Sequence, residues 1–290
     1  MATLIEAPTG RQAYVEVVER VRRRGCEGTS RNGSVIELPD VTVALESPSY
    51  ALPAGCRPGL SSRIAAAEAL QLIGGFSDPK WLVDLAPQFA RFREPNGQFW
   101  GAYGPRTSYG RQLAGIVDKL HRFPDTRQAV VTLWDPALDN EPGKLDYPCT
   151  VAVGFSRGGR YGLDQLNMRV TMRSNDVWLG LPYDLFQFAQ LQWTLCTILD
   201  LLPGTYTHTA WSMHLYRSDL EASYGVVEPP RGESDVPDER AVEPGGIGRL
   251  GDDLTAIQRL CRQLAYGEVP PEELSELRDG DGWFYDAIHG

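Results

Sequence analysis

The run LFQFAQLQWTLCTILDLL after Asp184 is the strongest constraint in this chain, because as a helix it presents apolar side chains on every side. A helix without a polar stripe cannot rest on a surface, so other elements must enclose it. With the strands and helices read below, the expected fold class is α/β of the α+β kind: a β-sheet packed against a central buried helix, with flanking helices.

The other elements follow from local pattern. Apolar residues spaced through Arg11 to Arg24 predict an amphipathic helix, and Ser34 to Leu45 alternates like a strand after the turn-rich Gly28 to Gly33. Ser62 opens a second helix that ends at Gly74-Gly75. Trp81 to Phe92 and Tyr109 to His121 read as helices, with the aromatic cluster FWGAYGPR as a loop between them. Strands are expected at QAVVTLW, YPCTVAVGFS and QLNMRVTMRS, the last two flanking a Gly158-Gly159 turn, and at Gly204 to Tyr216. Asp135 to Asp146 reads as a surface loop. Beyond Val226, prolines and acidic residues suggest a mobile surface segment, followed by a helix over Leu250 to Tyr266. We therefore expect residues 1–225 to form the main body of one domain, with 226–290 as an acidic, proline-containing segment and peripheral helical tail of the same domain.

The 290 residues suffice for a substantial core, and their formal charge of -10 argues against nucleic acid as the main partner. No apolar run approaches a membrane-spanning length, and the N-terminus lacks signal-peptide order, so a cytoplasmic protein without membrane association is expected. Five scattered cysteines and four histidines make a disulfide framework or structural metal site improbable. There is no GxGxxG or P-loop pattern.

Chemistry concentrates between Tyr147 and Asp184. Pro148-Cys149 precedes a hairpin that ends in MRSNDVWLGLPYD, and a buried strand rarely ends in so many polar side chains unless they face a ligand. Taken singly, each candidate has a bland explanation. A strand cysteine is ordinarily inert, Glu68 is as readily an exposed helix residue, Arg31 on its glycine-flanked loop is as readily solvated, and His214 and Tyr216 are as readily hydrogen-bonded core residues.

Together these residues resemble thymidylate synthase and its pyrimidine hydroxymethylase relatives. The similarity rests on Ser30-Arg31-Asn32-Gly33, Glu68, Gly101-x-Tyr103-Gly104, Pro124-Asp125-Thr126-Arg127, Pro148-Cys149, Arg173-Ser174-x-Asp176-Val177-x-Leu179-Gly180-Leu181-Pro182, Gly204-x-Tyr206-x-His208 and His214-x-Tyr216. It covers roughly Val17 to Glu221. The resemblance implies a Cys149 thiolate that adds to C6 of a pyrimidine nucleotide, with 5,10-methylenetetrahydrofolate as one-carbon co-substrate. It also implies that Arg31, Arg173 and Ser174 hold the phosphate, with Arg173 favouring the thiolate, and that Arg127 reaches in from the partner subunit of a homodimer. His214 and Tyr216 would hold the sugar, and Glu68 would relay protons. Asp176, Tyr103 and Trp100 would line the folate side.

Departures from that family's pattern bear on substrate and product. Asp184 replaces an asparagine whose amide matches N3-H and O4 of uracil; an ionised carboxylate accepts only, and so suits the N4 amino group and a protonated N3 of cytosine. Thr150, Gln71 and Gln128 stand where histidine, tryptophan and a second arginine are usual, and Trp283 to Gly290 lacks the apolar C-terminus that closes over folate. A pocket that admits water would give a hydroxymethyl rather than a methyl product. The resulting expectation is cytidylate 5-hydroxymethylation of CMP or dCMP. The alternatives are a thymidylate synthase acting on dUMP and a non-catalytic nucleotide-binding relative, with RNA binding more distant.

Overall fold

A computed structural model describes residues 2–45, 56–57, 59–159, 164–226, 253–269 and 282–290. In chain order these form β1 (Thr3–Ala7), α1 (Gly10–Arg24), β2 (Cys26–Ser30), β3 (Gly33–Leu45), α2 (Ser62–Gly74), α3 (Pro79–Leu85), α4 (Tyr103–Ser108), α5 (Gln112–Arg122), β4 (Ala129–Thr132), α6 (Pro136–Asp139), β5 (Thr150–Arg157), β6 (Gln165–Met172), β7 (Asn175–Asp176), α7 (Leu181–Leu199) and β8 (Leu202–Tyr216). A short helix Leu220–Ser223 follows, then helices Leu254–Tyr266 and Gly282–His289.

The strands make one mixed sheet in the order β1-β3-β8-β6-β5-β4, with β2 added to β3 and β7 to β8. The long β3–β8 pair is antiparallel from Val35↔Tyr216 to Leu45↔Tyr206, whereas β6 and β7 run parallel to β8. Alternation on β8 puts Tyr206, His208 and Ala210 on the buried face. Against this face lies α7, in which only Trp193, Thr197 and Ile198 escape burial. The apolar run is thus enclosed as its composition demands, with β6 and β8 on one side and α2 and α5 packed around it. Burial of each of its leucine and phenylalanine side chains stabilises the fold by roughly 1.5–3 kcal/mol before entropy costs.

Local punctuation sets the element ends. Ser61 caps α2 by accepting from the Ile64 N–H at 3.3 Å, and Gly75, at φ 67, closes it in the left-handed conformation. The helix expected over Trp81 to Phe92 is two pieces, because Pro87 has no N–H to continue α3 and restarts the chain as a 3-10 turn. The helix expected from Tyr109 begins only at Gln112, since Gly110 and Arg111 both have positive φ. The turn-rich segment before Gly33 is a strand paired with β3, and part of the aromatic loop is the helix α4.

Two further readings change. The loop from Asp135 to Asp146 is not wholly at the surface: Asp139 is buried and takes both guanidinium amino groups of Arg106, at 2.5 and 2.8 Å. The same guanidinium donates to the carbonyls of Leu133 and Trp100. The C-terminal helices are not peripheral either. Cys261 and Leu264 are fully buried against α2, and Trp283 and Phe284 pack on Phe186 of α7 at 5.3 and 6.4 Å between ring centroids. The acidic segment expected to be mobile lies outside the described residues, apart from its first residue, Val226.

Removing one member of a buried, fully bonded ion pair strands the other. Asp139→Ala should therefore lower the unfolding free energy by about 3–5 kcal/mol, measured by urea denaturation, whereas Lys80→Ala, which breaks an exposed pair with Asp84, should leave it nearly unchanged.

Candidate active site

A cavity of about 1820 Å³ opens where α2, α4, the β4–β5 connection, β7 and the first turn of α7 converge. Cys149 sits at its foot, one residue before β5. A bulge between Thr150 and Ala152 bends the strand there, and the Val151 carbonyl accepts from both Leu133 and Trp134, at 2.9 and 3.1 Å. Arg173, one residue past β6, is tied to the same place. Its backbone N–H donates to the Cys149 carbonyl, its Nε to the Pro148 carbonyl, and its Nη2 lies 3.9 Å from the Cys149 Sγ. The strands expected to include these two residues stop short of them, which leaves both side chains facing the cavity.

Carboxylates dominate the electrostatics. Asp184, in the first turn of α7, is buried, and burial pushes it up to about 7 although Asn175 and Gln187 both donate to it. Glu68 reaches the cavity from α2, where burial, reinforced by Asp184, raises it to about 8. Asp176 accepts from the Trp178 and Leu179 N–H groups; burial still raises it, against the opposing influence of His214. The Cys149 thiol is pushed up to about 12, chiefly by burial, with Asp184, Asp146 and Asp176 adding to Arg173's failure to offset it. Arg173 acts in the direction expected, but the thiolate it was expected to favour is outweighed by desolvation and three carboxylates.

The remaining expected residues divide. Ser174 and His214 meet at 3.4 Å, and the Tyr216 hydroxyl lies 3.4 Å from that of Ser30, all in the cavity wall. Arg31 is at the rim, where its guanidinium donates to the Lys144 and Leu145 carbonyls. Tyr103 is in the wall with its hydroxyl accepting from the Thr150 N–H at 3.2 Å, close to Cys149 and not only on the aromatic side. Trp100 is not in the wall: the Lys144 ammonium covers its ring at 4.8 Å, and Phe99 lines the cavity instead. Arg127 is exposed and apart from the cavity of its own chain. Gln71 is in the wall, its Oε1 accepting from the Asp78 N–H, and Thr150 is fully buried beside Tyr103.

Sequence reasoning missed four wall residues. Asp146 is tucked so tightly against Gly101 that a Cβ there would lie 2.0 Å from its Oδ2, which accounts for the glycine. Arg57 stacks on Trp178 at 4.1 Å, buried, with Nε and Nη1 lacking partners. Asn175 and Gln187 flank Asp184. Only Asn175 carried a signal, as a member of the polar run; the others look like ordinary loop or helix residues.

A family model described as "Thymidylate synthase" matches residues 12–233, a span that holds every one of the motif residues above. The chain belongs to the thymidylate synthase family. Among relatives, the protein named "Deoxyuridylate hydroxymethyltransferase" from Bacillus phage SP01 is 26% identical over 227 residues, which are 73% of this chain and 58% of that protein. The chain thus spans less than two thirds of that relative's length. Relative to the thymidylate synthase family match, the helices Leu254–Tyr266 and Gly282–His289 lie beyond the matched span and contribute nothing to the cavity wall among the described residues.

Two measurements probe these electrostatics. With a thiol near 12, alkylation of Cys149 by iodoacetamide, followed by peptide mass spectrometry, should be slow at neutral pH and rise about tenfold per pH unit from 8 to 11. The raised Glu68 carboxyl means that the folded state holds its proton more tightly than the unfolded chain does. Its stabilising contribution is therefore complete below the ordinary value of 4.5 and is lost as pH rises towards 8. Glu68→Gln should accordingly gain stability relative to the native chain between pH 5 and pH 8, on the order of a few kcal/mol by urea denaturation.

Proposed function

We propose that the protein is a cytidylate 5-hydroxymethyltransferase acting on CMP or dCMP. The observation that carries the reading is the Asp184 carboxyl in the cavity. Its two oxygens already accept from Asn175 and Gln187, so the edge left for a ligand is an acceptor edge. Cytosine offers it the N4 amino group and, with one shared proton, N3-H; uracil offers N3-H beside a carbonyl oxygen that would be repelled. A buried hydrogen bond left unmade costs about 1–3 kcal/mol, enough to separate the bases.

In this reading Cys149 adds to C6 of the base and so makes C5 nucleophilic. As the sulfur bonds to C6 the S–H bond breaks and its proton passes to water in the cavity, with Arg173 offsetting the negative charge that develops on sulfur. Glu68, held near neutrality, exchanges protons with the base through the cavity. Ser174, Arg173 and Arg31 bind the phosphate, and His214 and Tyr216 the sugar. The folate co-substrate supplies a one-carbon unit at the formaldehyde level. The wall fits such a molecule: Asp176 suits a pterin ring, while Arg57 on Trp178 presents unpaired donors suited to its carboxylates. Water in the pocket then leads to hydroxymethyl. Arg127 acts in the cavity of a second copy, a homodimer formed through the outer face of the sheet, where Val130 and Trp211 are about half exposed.

One observation favours a second substrate: the phage relative is named for deoxyuridylate. Incubating the protein with methylenetetrahydrofolate and CMP, dCMP and dUMP in competition, with product masses as readout, separates the readings. Hydroxymethylated cytidylate is expected; product from dUMP alone would overturn the choice of base, and a methylated product the choice of reaction. Release of tritium from C5 of the preferred nucleotide should accompany turnover and fall roughly a thousandfold or more in Cys149→Ser. Asp184→Asn should move the cytosine-to-uracil preference by on the order of a hundredfold towards uracil.

A further inference from the structure

Asp184 is held from inside by a chain of buried side chains. Its Oδ2 accepts from Asn175 Nδ2 at 2.7 Å, and the Asn175 Oδ1 lies 2.9 Å from His208 Nε2. His208 Nδ1 in turn lies 3.0 Å from the Tyr206 hydroxyl. Tyr206 and His208 are fully buried and Asn175 is 2% exposed. Tyr206 and His208 occupy successive inward positions on β8, and Asn175 lies on β7, beside the same strand.

We propose that Tyr206, His208 and Asn175 form a positioning relay that fixes the orientation and proton content of the Asp184 carboxyl, and so sets its discrimination between cytosine and uracil. The second half of this proposal rests on the reading that Asp184 faces the base.

The polarity of the relay follows from counting protons. Burial pulls His208 down to about 3, so its ring is neutral and carries one N–H. An ionised Asp184 only accepts, which makes Asn175 the donor through Nδ2 and leaves its Oδ1 to accept. His208 must then carry its proton on Nε2, and its Nδ1 accepts the Tyr206 O–H. Every link is satisfied in this one direction. A proton on Asp184 Oδ2 would require Asn175 to flip and both partners behind it to reverse, and a proton on Oδ1 would meet the Gln187 amide. The relay therefore keeps both oxygens as acceptors and directs any shared proton to the side of the ligand.

Other groups near Asp184 oppose or do not provide that support. Glu68 from α2 and Asp176 from β7 are acidic, while Cys149 just before β5 and Tyr103 on α4 are weak acids whose ionisation Asp184 suppresses. Arg173 pairs with Cys149 rather than with Asp184. Hydrogen bonds to Asp184 from other side chains come only from Asn175 and Gln187 among the described residues.

The test combines carbon-13 NMR titration of the Asp184 carboxyl in the full-length protein without ligand with the CMP, dCMP and dUMP competition. Tyr206→Phe keeps the ring and removes one O–H, and Asn175→Ala removes the direct donor. Both should raise the titration midpoint of Asp184, Asn175→Ala more, and lower the cytosine-to-uracil ratio by about threefold and about tenfold respectively. Asp184→Asn serves as the reference for base reading. If it changes the ratio while both relay variants match the native titration and ratio, the relay is refuted. If the relay variants shift the titration but neither they nor Asp184→Asn moves the ratio, the hold on the carboxyl stands and the assignment of Asp184 to the base falls.

Discussion

The structure depends on enclosing α7. An all-apolar helix needs a sheet face on one side and helices on the other, and that enclosure fixes where its first turn must emerge. Asp184 lies in that turn, so the element that supplies most of the core also carries a titratable group into the cavity. The sheet on the other side supplies the strand that Cys149 leads into and the three side chains Tyr206, His208 and Asn175, so the core and the cavity share one scaffold.

A second dependence is electrostatic. Glu68, Asp146, Asp176 and Asp184 are four of the carboxyl groups that line the cavity, together with arginines that include Arg31, Arg57 and Arg173. Burial raises all four acids, and together with Asp146, Asp176 and Asp184 it outweighs the arginine beside Cys149. The cavity without ligand therefore holds the Cys149 thiol protonated. Under the proposed function, the thiol loses its proton only as its sulfur bonds to C6 of the base, so no free thiolate has to persist in the cavity.

Much of this was legible in the sequence because the informative features were local. The apolar run announced the central helix, and Gly74-Gly75 its neighbour's end. The spaced motifs brought Cys149, Arg173, Ser174, Asp176, His214 and Tyr216 to one cavity. What escaped was information held in tertiary contacts. Arg106 and Asp139 look like ordinary polar loop residues until they pair, Pro87 ends α3 against a helical spacing, and the helix Leu254–Tyr266 has an amphipathic pattern that does not announce which helix it covers. Trp100 and Phe99 are adjacent aromatics, and only the Lys144 ammonium over the Trp100 ring decides which of them faces the cavity. Asn175 was visible as a polar residue in the right run, but its partner His208 lies far away in sequence, on another strand.

The bulge before Ala152 has one more implication. Because the Val151 carbonyl holds two successive N–H groups of the neighbouring segment, the backbone around Cys149 is set by main-chain bonds that no side-chain replacement removes. The position of the Cys149 thiol is thereby decoupled from side-chain changes in the wall around it. Under the proposed function, a carboxylate can be exchanged for an amide opposite the base, and the preferred pyrimidine changed, while the thiol stays where it is.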